Sequence, residues 1–439
     1  MKTVCVIGLG YTGLPTAAMF ATHGCQVIGV DINPSIIETI SQGKIHIHEP
    51  GLLELVREAV TRGSLTVSLQ PLPADAFIIE VPTPFKENAI EAPRNLGEHT
   101  GDKQADMSYV IAAAHSILPV LKPGNLVVLE STSPPRTTVD IIRPILEKTG
   151  LIAGRDFYLA YTPERVLPGS ILNELVENAR VIGGIDYASS KAGYDLFKVF
   201  VEGEIILTDA TTAEMTKLME NTQRDVNIAL ANEFAHLADR FHVDIWEAIA
   251  IANKHPRVKI LNPGPGVGGH CIGVDPWFLV EAAPEISSLI RTARQVNDSQ
   301  PEYICQRVTQ ILGSLDGKTI AALGLAYKPD VDDLRESPAI AVVEMLQRSG
   351  AKVKAYEPFK PNAIIPGIQT TATLSETLAS ADLILILVSH SPFRVLDPDT
   401  IIQATGARLV FDSVNAWRDE SWTMAGFLIH RLGNSKSKV

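Results

Sequence analysis

Two groups of side chains in this sequence have the types and spacing needed for covalent chemistry at a carbonyl carbon. Cys271 follows a glycine-rich run, 264–269, and Asp275 stands four positions further on. A thiol can attack a carbonyl carbon, and a carboxylate can assist its proton transfers. Lys217 and Asn221 are four residues apart, so in a helix they share one face and could both meet a substrate oxygen. The alternatives are a buried, inert cysteine and a solvated lysine.

Further polar side chains follow apolar runs that read as strands. Glu164 comes shortly after the run 158–160. Its carboxylate could position water or act as a base, or Glu164 could instead be a residue that begins a helix. The runs 77–81 and 126–130 are also apolar, with a helix predicted over 108–121 between them. At the carboxyl edge of a parallel sheet these runs would present Thr83, Glu130 and Thr132.

The N-terminal segment has the order of elements that binds a dinucleotide. A β-branched run, 3–7, leads into Gly8-Leu-Gly-Tyr-Thr-Gly13, then into a helix and a second strand that ends at Asp31. Gly8 permits the tight turn, Gly10 lets the backbone approach a pyrophosphate, and Gly13 lets helix and strand pack closely. Asp31 can accept hydrogen bonds from ribose hydroxyls and would repel a 2'-phosphate, so the pattern favours NAD over NADP.

From Lys318 the chain repeats this layout without the glycine pattern. Strands are predicted over 319–324 and 352–356 with a helix over 338–348, and the loop between contains Tyr327, Lys328 and Arg335. The two cations suit a diphosphate and the ring could cover a base, so this unit should bind something other than NAD.

The two α/β units are joined by a helical stretch and a basic segment. Between residues 213 and 255 there is neither Gly nor Pro, which predicts long helices, and such helices often pair with a second copy of themselves. Arg257 and Lys259 follow, where they could attract a phosphate.

Composition limits the partners and the compartment. The chain has 439 residues, which predicts two or three domains, and a net charge of -12, which argues against nucleic acid or an anionic membrane. Its four cysteines are widely spaced, as in a reducing cytoplasm, and no apolar run is long enough to span a bilayer. His46 and His48 stand in a loop before a helix, so we predict no metal site.

Taken together, the motifs resemble the UDP-glucose/GDP-mannose dehydrogenase family over nearly the whole chain. They are Gly8-Leu-Gly-Tyr-Thr-Gly-Leu-Pro15, Glu130-Ser-Thr132, Pro163-Glu164, Lys217 with Asn221, Gly268-Gly-His-Cys-Ile-Gly-Val-Asp275, and Gly324-Leu-Ala-Tyr-Lys328 through Arg335-Glu-Ser337. The resemblance implies an α/β protein with two Rossmann-like, doubly wound domains joined by a central helical region. The expected domains are an NAD-binding domain (1–205), a central dimerisation and catalytic-loop domain (206–300) and a UDP-sugar-binding domain (301–439).

The resemblance also implies a twofold oxidation of a sugar C6 alcohol by two NAD, through a thiohemiacetal and a thioester on Cys271. The implied catalytic residues are Cys271, Lys217, Asn221, Asp275, Glu164 and Thr132. The implied NAD contacts are Gly8, Gly10, Tyr11, Gly13, Asp31, Thr83, Glu130, Thr132 and Arg335. The implied substrate contacts are Glu164, Arg165, Lys217, Asn221, Arg257, Gly268, Tyr327 and Lys328, with Arg257 reaching the site of a partner subunit in a homodimer or larger homo-oligomer.

The departures from the family pattern bear on the substrate. UDP-glucose members usually have Lys before the aspartate, whereas this chain has Val274, and His270 replaces a small residue before the thiol. These features and Val81-Pro-Thr-Pro84 resemble members that oxidise UDP-N-acetylmannosamine, with UDP-N-acetylglucosamine as the alternative. Arg136 stands where a glycine is typical, so the cofactor contact there is expected to differ. Two other hypotheses for the function remain. One is a single-step hydroxy-acid dehydrogenase, and the other is a non-catalytic NAD-responsive binding protein.

Overall fold

Apolar strands that alternate with helices build both sheets of this protein, as the sequence predicts. The computed structural model describes residues 2–86, 103–269 and 272–435. They form two compact units, the first made of 2–86, 103–220 and 281–283, the second of 221–269, 272–280 and 284–435. Most of the predicted surface loop 87–106 and the residues His270 and Cys271 lie outside the described ranges.

The first unit is a doubly wound sheet whose inner strands are largely apolar because helices cover both faces. Its strands are β1 (Thr3–Ile7), β2 (Gln26–Val30), β3 (Leu65–Ser68), β4 (Ala76–Ile79), β5 (Leu126–Leu129), β6 (Tyr158–Tyr161), β7 (Arg180–Gly184) and β8 (Ile205–Asp209). They lie in the order β3-β2-β1-β4-β5-β6-β7-β8, and β6 and β7 pair antiparallel while the other neighbours pair parallel. The order reverses direction between β1 and β4, which is where such sheets bind nucleotides.

Helices connect the strands of the first unit. They are α1 (Gly13–Thr22), α2 (Pro34–Ser41), α3 (Leu52–Thr61), α4 (Ser108–Ile117), α5 (Arg143–Leu146), α6 (Ile171–Glu177) and α7 (Tyr187–Phe197), with a π-helical turn at Thr137–Ile142 and a 3-10 turn at Glu147–Thr149. Asn33 caps α2 by accepting from the Ser35 N–H, which satisfies one of the free donors of the first turn.

The predicted long helices are α8 (Ala210–Phe241) and α9 (Ile245–Ala252). Residues of α8 up to Glu220 belong to the first unit and those from Asn221 to the second. The break falls at His242, whose φ of +57° is left-handed, and Asp244 then caps α9. Helicity in this segment is therefore confirmed, with one interruption.

The second unit contains a parallel sheet of the same design. Its strands are β9 (Thr319–Leu323), β10 (Lys352–Tyr356), β11 (Gln369–Thr370), β12 (Leu383–Ile386), β13 (Leu409–Asp412) and β14 (Leu428–Arg431), in the order β11-β10-β9-β12-β13-β14. The remaining helices in the described residues are α10 (Asp275–Ala282), α11 (Ser288–Leu312), α12 (Pro338–Arg348), α13 (Leu374–Leu378), α14 (Ser391–Arg394), α15 (Pro398–Ala404) and α16 (Ser421–Met424). The predicted fold class, two Rossmann-like sheets joined by helices, is confirmed, whereas the predicted boundaries after residues 205 and 300 stay predictions.

The described residues contain neither a membrane-spanning helix nor a cluster of metal ligands. None of the helices in those ranges is long and apolar enough to cross a membrane. In the same ranges, no three His, Cys, Asp or Glu side chains are grouped as a metal site would require.

Candidate active site

The glycine loop after β1 leaves room at one position and is tightly packed at two others. A Cβ built on Gly8, whose φ is +96°, would lie 2.1 Å from the Glu80 carbonyl oxygen. One built on Gly13 would lie 2.0 Å from the Gly8 carbonyl oxygen, whereas one on Gly10 would meet nothing within 4 Å. Gly8 and Gly13 are therefore required by packing, and Gly10 leaves open space over the start of α1, where a pyrophosphate fits.

Asp31 lies at the carboxyl end of β2 and is oriented by the loop. Its Oδ2 accepts from the Leu9 N–H at 3.1 Å and its Oδ1 from the Asn33 N–H at 2.9 Å. The side chain is half-buried, so its remaining lone pairs can accept ribose hydroxyls. Tyr11, in the same loop, is 40% exposed. These residues have the shape and charge that NAD requires.

The loops after β4 and β5 are joined at the same sheet edge. Thr83 Oγ1 donates to the Thr132 carbonyl oxygen at 2.8 Å, and the Val81 N–H donates to Ser131 Oγ at 2.9 Å. The predicted residues Thr83 and Thr132 are thus brought together. Arg136, in the loop that follows, adopts a left-handed φ of +74°, a conformation that glycine adopts more readily than arginine.

Arg180, a residue that the sequence reasoning missed, binds two of the predicted carboxylates. Its Nη1 lies 2.7 Å from Glu130 Oε1 and its Nη2 lies 3.3 Å from Glu164 Oε2. All three side chains are buried, and the guanidinium also lies over the Phe197 ring. Burial raises the pKa of Glu130 to about 7, against the opposing charge of Arg180. The only signal in the sequence was a charged residue opening an apolar strand.

Glu80, also missed, adds a further carboxylate beneath the glycine loop. It accepts a short hydrogen bond from Thr12 Oγ1. Burial, and next to it the charge of Glu130, raises the pKa of Glu80 well above its usual range. The buried carboxyl groups of Glu80 and Glu130 therefore interact electrostatically within the first unit.

Lys217 contacts the main chain at Glu164. Its Nζ donates to the Glu164 carbonyl oxygen at 2.7 Å, and the residue is 9% exposed. Arg165, next in the chain, forms an ion pair with Glu220 at 2.8 Å and donates to the Ala179 carbonyl oxygen. The structure thus brings Lys217 and Glu164 together. The Arg165 guanidinium, by contrast, is already bound by Glu220 and Ala179.

In the second unit, Asn221 is held between two charged groups. Its Nδ2 donates to Asp275 Oδ2 at 2.5 Å, and its Oδ1 accepts from Arg224 Nη2 at 2.5 Å. Asn221 and Asp275 are almost completely buried, and Asp275 begins α10. Arg224 had not been predicted, although it follows Asn221 by three positions and so shares its helix face. It fixes the orientation of the amide.

The glycine-rich loop before Cys271 packs against Tyr327. A Cβ on Gly269 would lie 2.7 Å from the Tyr327 ring, and one on Gly268 would lie 2.3 Å from the Glu336 carbonyl oxygen. The Gly264 N–H donates to Asn232 Oδ1 at 2.9 Å, which ties the loop to α8. Larger residues would separate these segments. Cys271 itself lies outside the described residues, so its role stays a prediction.

The other candidate cations differ in how they are bound. Lys328 Nζ lies 5.6 Å from the centre of the Tyr327 ring. Arg335 forms an ion pair with Asp333 at 2.7 Å, and Arg257 is exposed. Lys328 and Tyr327 are therefore close together in the same loop. Arg335, however, would have to leave the Asp333 carboxylate in order to bind a phosphate.

The described cysteines have the properties of structural residues. Cys5, Cys25 and Cys305 are buried and unpaired. Burial raises the pKa of Cys5 and of Cys305 to about 12, which keeps both thiols protonated and unreactive.

Comparisons with known proteins agree along the whole chain. Models of the UDP-glucose/GDP-mannose dehydrogenase family match residues 2–201 (NAD binding domain), 211–299 (central domain) and 321–419 (UDP binding domain). The chain is 47% identical to a UDP-N-acetyl-D-mannosamine dehydrogenase of Methanococcus maripaludis, covering 99% of this chain and 97% of that one. It is 48% identical to an NDP-N-acetyl-D-galactosaminuronic acid dehydrogenase of Ralstonia nicotianae, covering 95% and 96%. A solved UDP-N-acetyl-mannosamine dehydrogenase of Staphylococcus aureus superposes with a TM-score of 0.88 at 43% identity, covering 99% of both chains.

Proposed function

The chain belongs to the UDP-glucose/GDP-mannose dehydrogenase family, whose cofactor is NAD, and from that premise we propose that it oxidises the C6 alcohol of UDP-N-acetyl-D-mannosamine twice, to the uronate. The observation that carries the catalytic part is the contact of Lys217 with the Glu164 main chain, in the unit that also contains the glycine loop. The substrate part is supported by the full-length similarity to proteins of that name.

The first oxidation needs a hydride acceptor and a base. NAD, when bound, accepts the hydride that leaves C6. In our proposal NAD lies in the open space at Gly10. It is held there by the side chains of Asp31, Tyr11, Thr83, Glu130 and Arg335. Lys217 and Asn221 stabilise the negative charge on the C6 oxygen as its proton leaves, because an ammonium and an amide N–H both donate to such an oxygen. Thr132, half-buried at the same sheet edge as Thr83, orients the reacting groups.

The second oxidation uses Cys271. The thiolate attacks the aldehyde carbon, a C–S bond forms, and the carbonyl oxygen takes a proton to give a thiohemiacetal. Loss of a second hydride from the same carbon, with a proton from its hydroxyl, gives a thioester. Water then breaks the C–S bond, releasing the carboxylate and the thiol. The sum consumes one sugar alcohol, one water and two NAD.

The carboxylates divide the proton transfers between them. Asp275 is fixed by the Asn221 amide and assists deprotonation through water. Glu164 retains carboxylate lone pairs beside its contacts with Arg180 and the Arg165 N–H, and it activates the water that hydrolyses the ester. The UDP group is bound by Tyr327, Lys328, Gly268, Arg165 and Arg257.

We infer that the protein is a cytoplasmic homodimer. An apolar surface on α8 and α9 exposes Leu237, Phe241 and Ile251 to solvent by 44%, 70% and 65%. A second copy of the same helices would cover it, since a face of this kind is self-complementary across a twofold axis. The unpaired thiols at positions 5, 25 and 305 suit a reducing compartment.

The test is to count the NADH formed per sugar and to identify the product by mass. We expect two NADH and a uronate from wild type, and no uronate from Cys271→Ser. One NADH per substrate would favour the single-step dehydrogenase, and no turnover with any sugar would favour a binding protein. A panel of UDP-N-acetylmannosamine, UDP-N-acetylglucosamine, UDP-N-acetylgalactosamine, UDP-glucose and GDP-mannose tests the substrate. A preference for UDP-glucose would contradict the proposal.

A further inference from the structure

The two sheets share one detail of local geometry at the end of their second strand. In the first unit the Gly8 N–H donates to the Val30 carbonyl oxygen at 2.8 Å and the Leu9 N–H to the Asp31 carboxylate. In the second unit the Gly324 N–H donates to the Tyr356 carbonyl oxygen at 2.9 Å, and the Leu325 N–H donates to Glu357 Oε2 at 2.8 Å. Glu357 is thus the counterpart of Asp31.

The two acids differ in what else binds them. Asp31 is half-buried, whereas Glu357 is 2% exposed and its Oε2 also accepts from the Ala326 N–H at 2.9 Å and contacts His390 Nε2 at 3.0 Å. The His390 ring is completely buried and lies between Phe359 and Phe393. The contact that Asp31 offers to a ribose hydroxyl is therefore made internally in the second unit, by an imidazole.

His390 uses its second nitrogen to hold the neighbouring loop. The Asp330 N–H donates to His390 Nδ1 at 2.9 Å, so Nδ1 is the acceptor and Nε2 carries the proton given to Glu357. Asp330 has a left-handed φ of +62°, and its carboxylate accepts from Ser391 at 2.6 and 2.7 Å. One ring thus fixes both ends of the segment 325–330.

That segment carries Tyr327 and Lys328. We propose that His390 is a positioning residue for nucleotide-sugar binding, which by bridging Glu357 and the Asp330 N–H sets the segment 325–330 against the glycine loop at Gly269. The inference rests on the proposed function, because it takes Tyr327 and Lys328 as contacts of the UDP group. It assigns a role to a histidine whose side chain is completely buried.

Two substitutions separate the two hydrogen bonds. His390→Gln can place an amide N–H where Nε2 donates but offers no acceptor to Asp330, whereas His390→Asn can place an oxygen where Nδ1 accepts but loses the donor to Glu357. We expect His390→Gln to raise the Kd for UDP, measured calorimetrically, and the KM for the UDP-sugar about tenfold, the usual effect of one lost hydrogen bond. His390→Asn should change both by less than about threefold, because Glu357 keeps its hydrogen bonds from the Leu325 and Ala326 N–H groups and the Asp330 N–H keeps its acceptor. The kcat and the Kd for NADH should not change in either variant.

The controls distinguish positioning from loss of structure. His115→Gln, at an exposed imidazole on α4, is the matched control and should behave as wild type. Wild-type affinity for UDP in His390→Gln, equal weakening in both His390 variants, or a parallel loss of NADH binding would each overturn the inference. If wild type itself binds no UDP, the proposed function fails and the inference fails with it. If wild type turns over but His390→Gln is unaffected, the inference fails alone.

Discussion

Lys217 Nζ donates to the main-chain oxygen of Glu164 at 2.7 Å, although the two residues are 53 positions apart in the chain. The contact fixes a buried ammonium beside a loop whose carboxylate points to Arg180. Arg180 therefore binds the Glu164 carboxylate, whereas Lys217 binds the Glu164 carbonyl oxygen. The carboxylate can be altered without removing the partner of Lys217.

We expect Glu164→Gln to stop the reaction after thioester formation, because an amide cannot act as the base for water. Hydrolysis should slow by about 100-fold to 10,000-fold, with a burst of two NADH per active site. Intact-mass measurement should show the sugar bound to the enzyme. Glu202→Gln, at an exposed carboxylate, is the control. Steady turnover without an adduct would assign the hydrolytic base elsewhere.

Two glycine substitutions in the dinucleotide loop should have opposite effects. Gly10→Ala should leave stability unchanged and weaken NAD binding about tenfold, because its methyl group would enter the open space in which we propose that the cofactor binds. Gly13→Ala should destabilise the protein by about 1–3 kcal/mol, since its methyl group would lie 2.0 Å from a carbonyl oxygen. Urea denaturation and NADH titration measure the two effects. An unchanged NADH affinity in Gly10→Ala would move the cofactor away from this loop.

The pKa of Glu130 predicts how stability depends on pH. Burial raises that pKa from 4.5 to about 7, so the folded state binds a proton that the unfolded state releases between these values. The contribution of Glu130 is therefore fully present below the lower value and is lost as the pH rises through the higher one. We expect Glu130→Gln to lose less stability than wild type between about pH 5 and about pH 7.5, as measured by urea midpoints.

A second carboxylate acts in the same direction. The charge of Glu130 contributes to the raised pKa of Glu80, so its removal also lowers the pKa of Glu80 and flattens the profile further. Glu214, whose pKa burial raises to about 6, is present in both proteins and cancels in the comparison. Parallel profiles for wild type and variant would show that Glu130 does not take up this proton.

The apolar surface on α8 and α9 predicts the assembly. Phe241→Asp should place a charge in the proposed dimer contact and convert the protein to a monomer at micromolar concentration, which sedimentation velocity can detect. Ile364→Asp, at a side chain that is 96% exposed elsewhere in the second unit, should sediment as wild type. A variant that still sediments as a dimer would place the contact on another surface.

The glycine positions of the dinucleotide loop were predictable because their spacing between a strand and a helix is a local pattern. Gly13 approaches the Gly8 carbonyl oxygen five positions earlier, which is a local contact, whereas the contact of Gly8 with the Glu80 carbonyl oxygen forms only when the strands pair. The strand limits at Thr3–Ile7 and Lys352–Tyr356 agree with the structure for the same reason, since apolar periodicity is local.

Arg180 and His390 could not be found in this way. Each binds residues far away in the chain, as Arg180 does with Glu130, 50 positions earlier, and His390 does with Glu357, 33 positions earlier. A single buried charge or imidazole has no characteristic spacing, so its partner is decided only when the strands take their order in the sheet. The sequence alone determined the two α/β units, the NAD loop and the candidate residues, because these depend on neighbouring side chains. Only the tertiary structure decided which carboxylates share a cation and which acid binds a histidine, because low-dielectric burial forces charged and polar groups to pair with whatever the fold brings near.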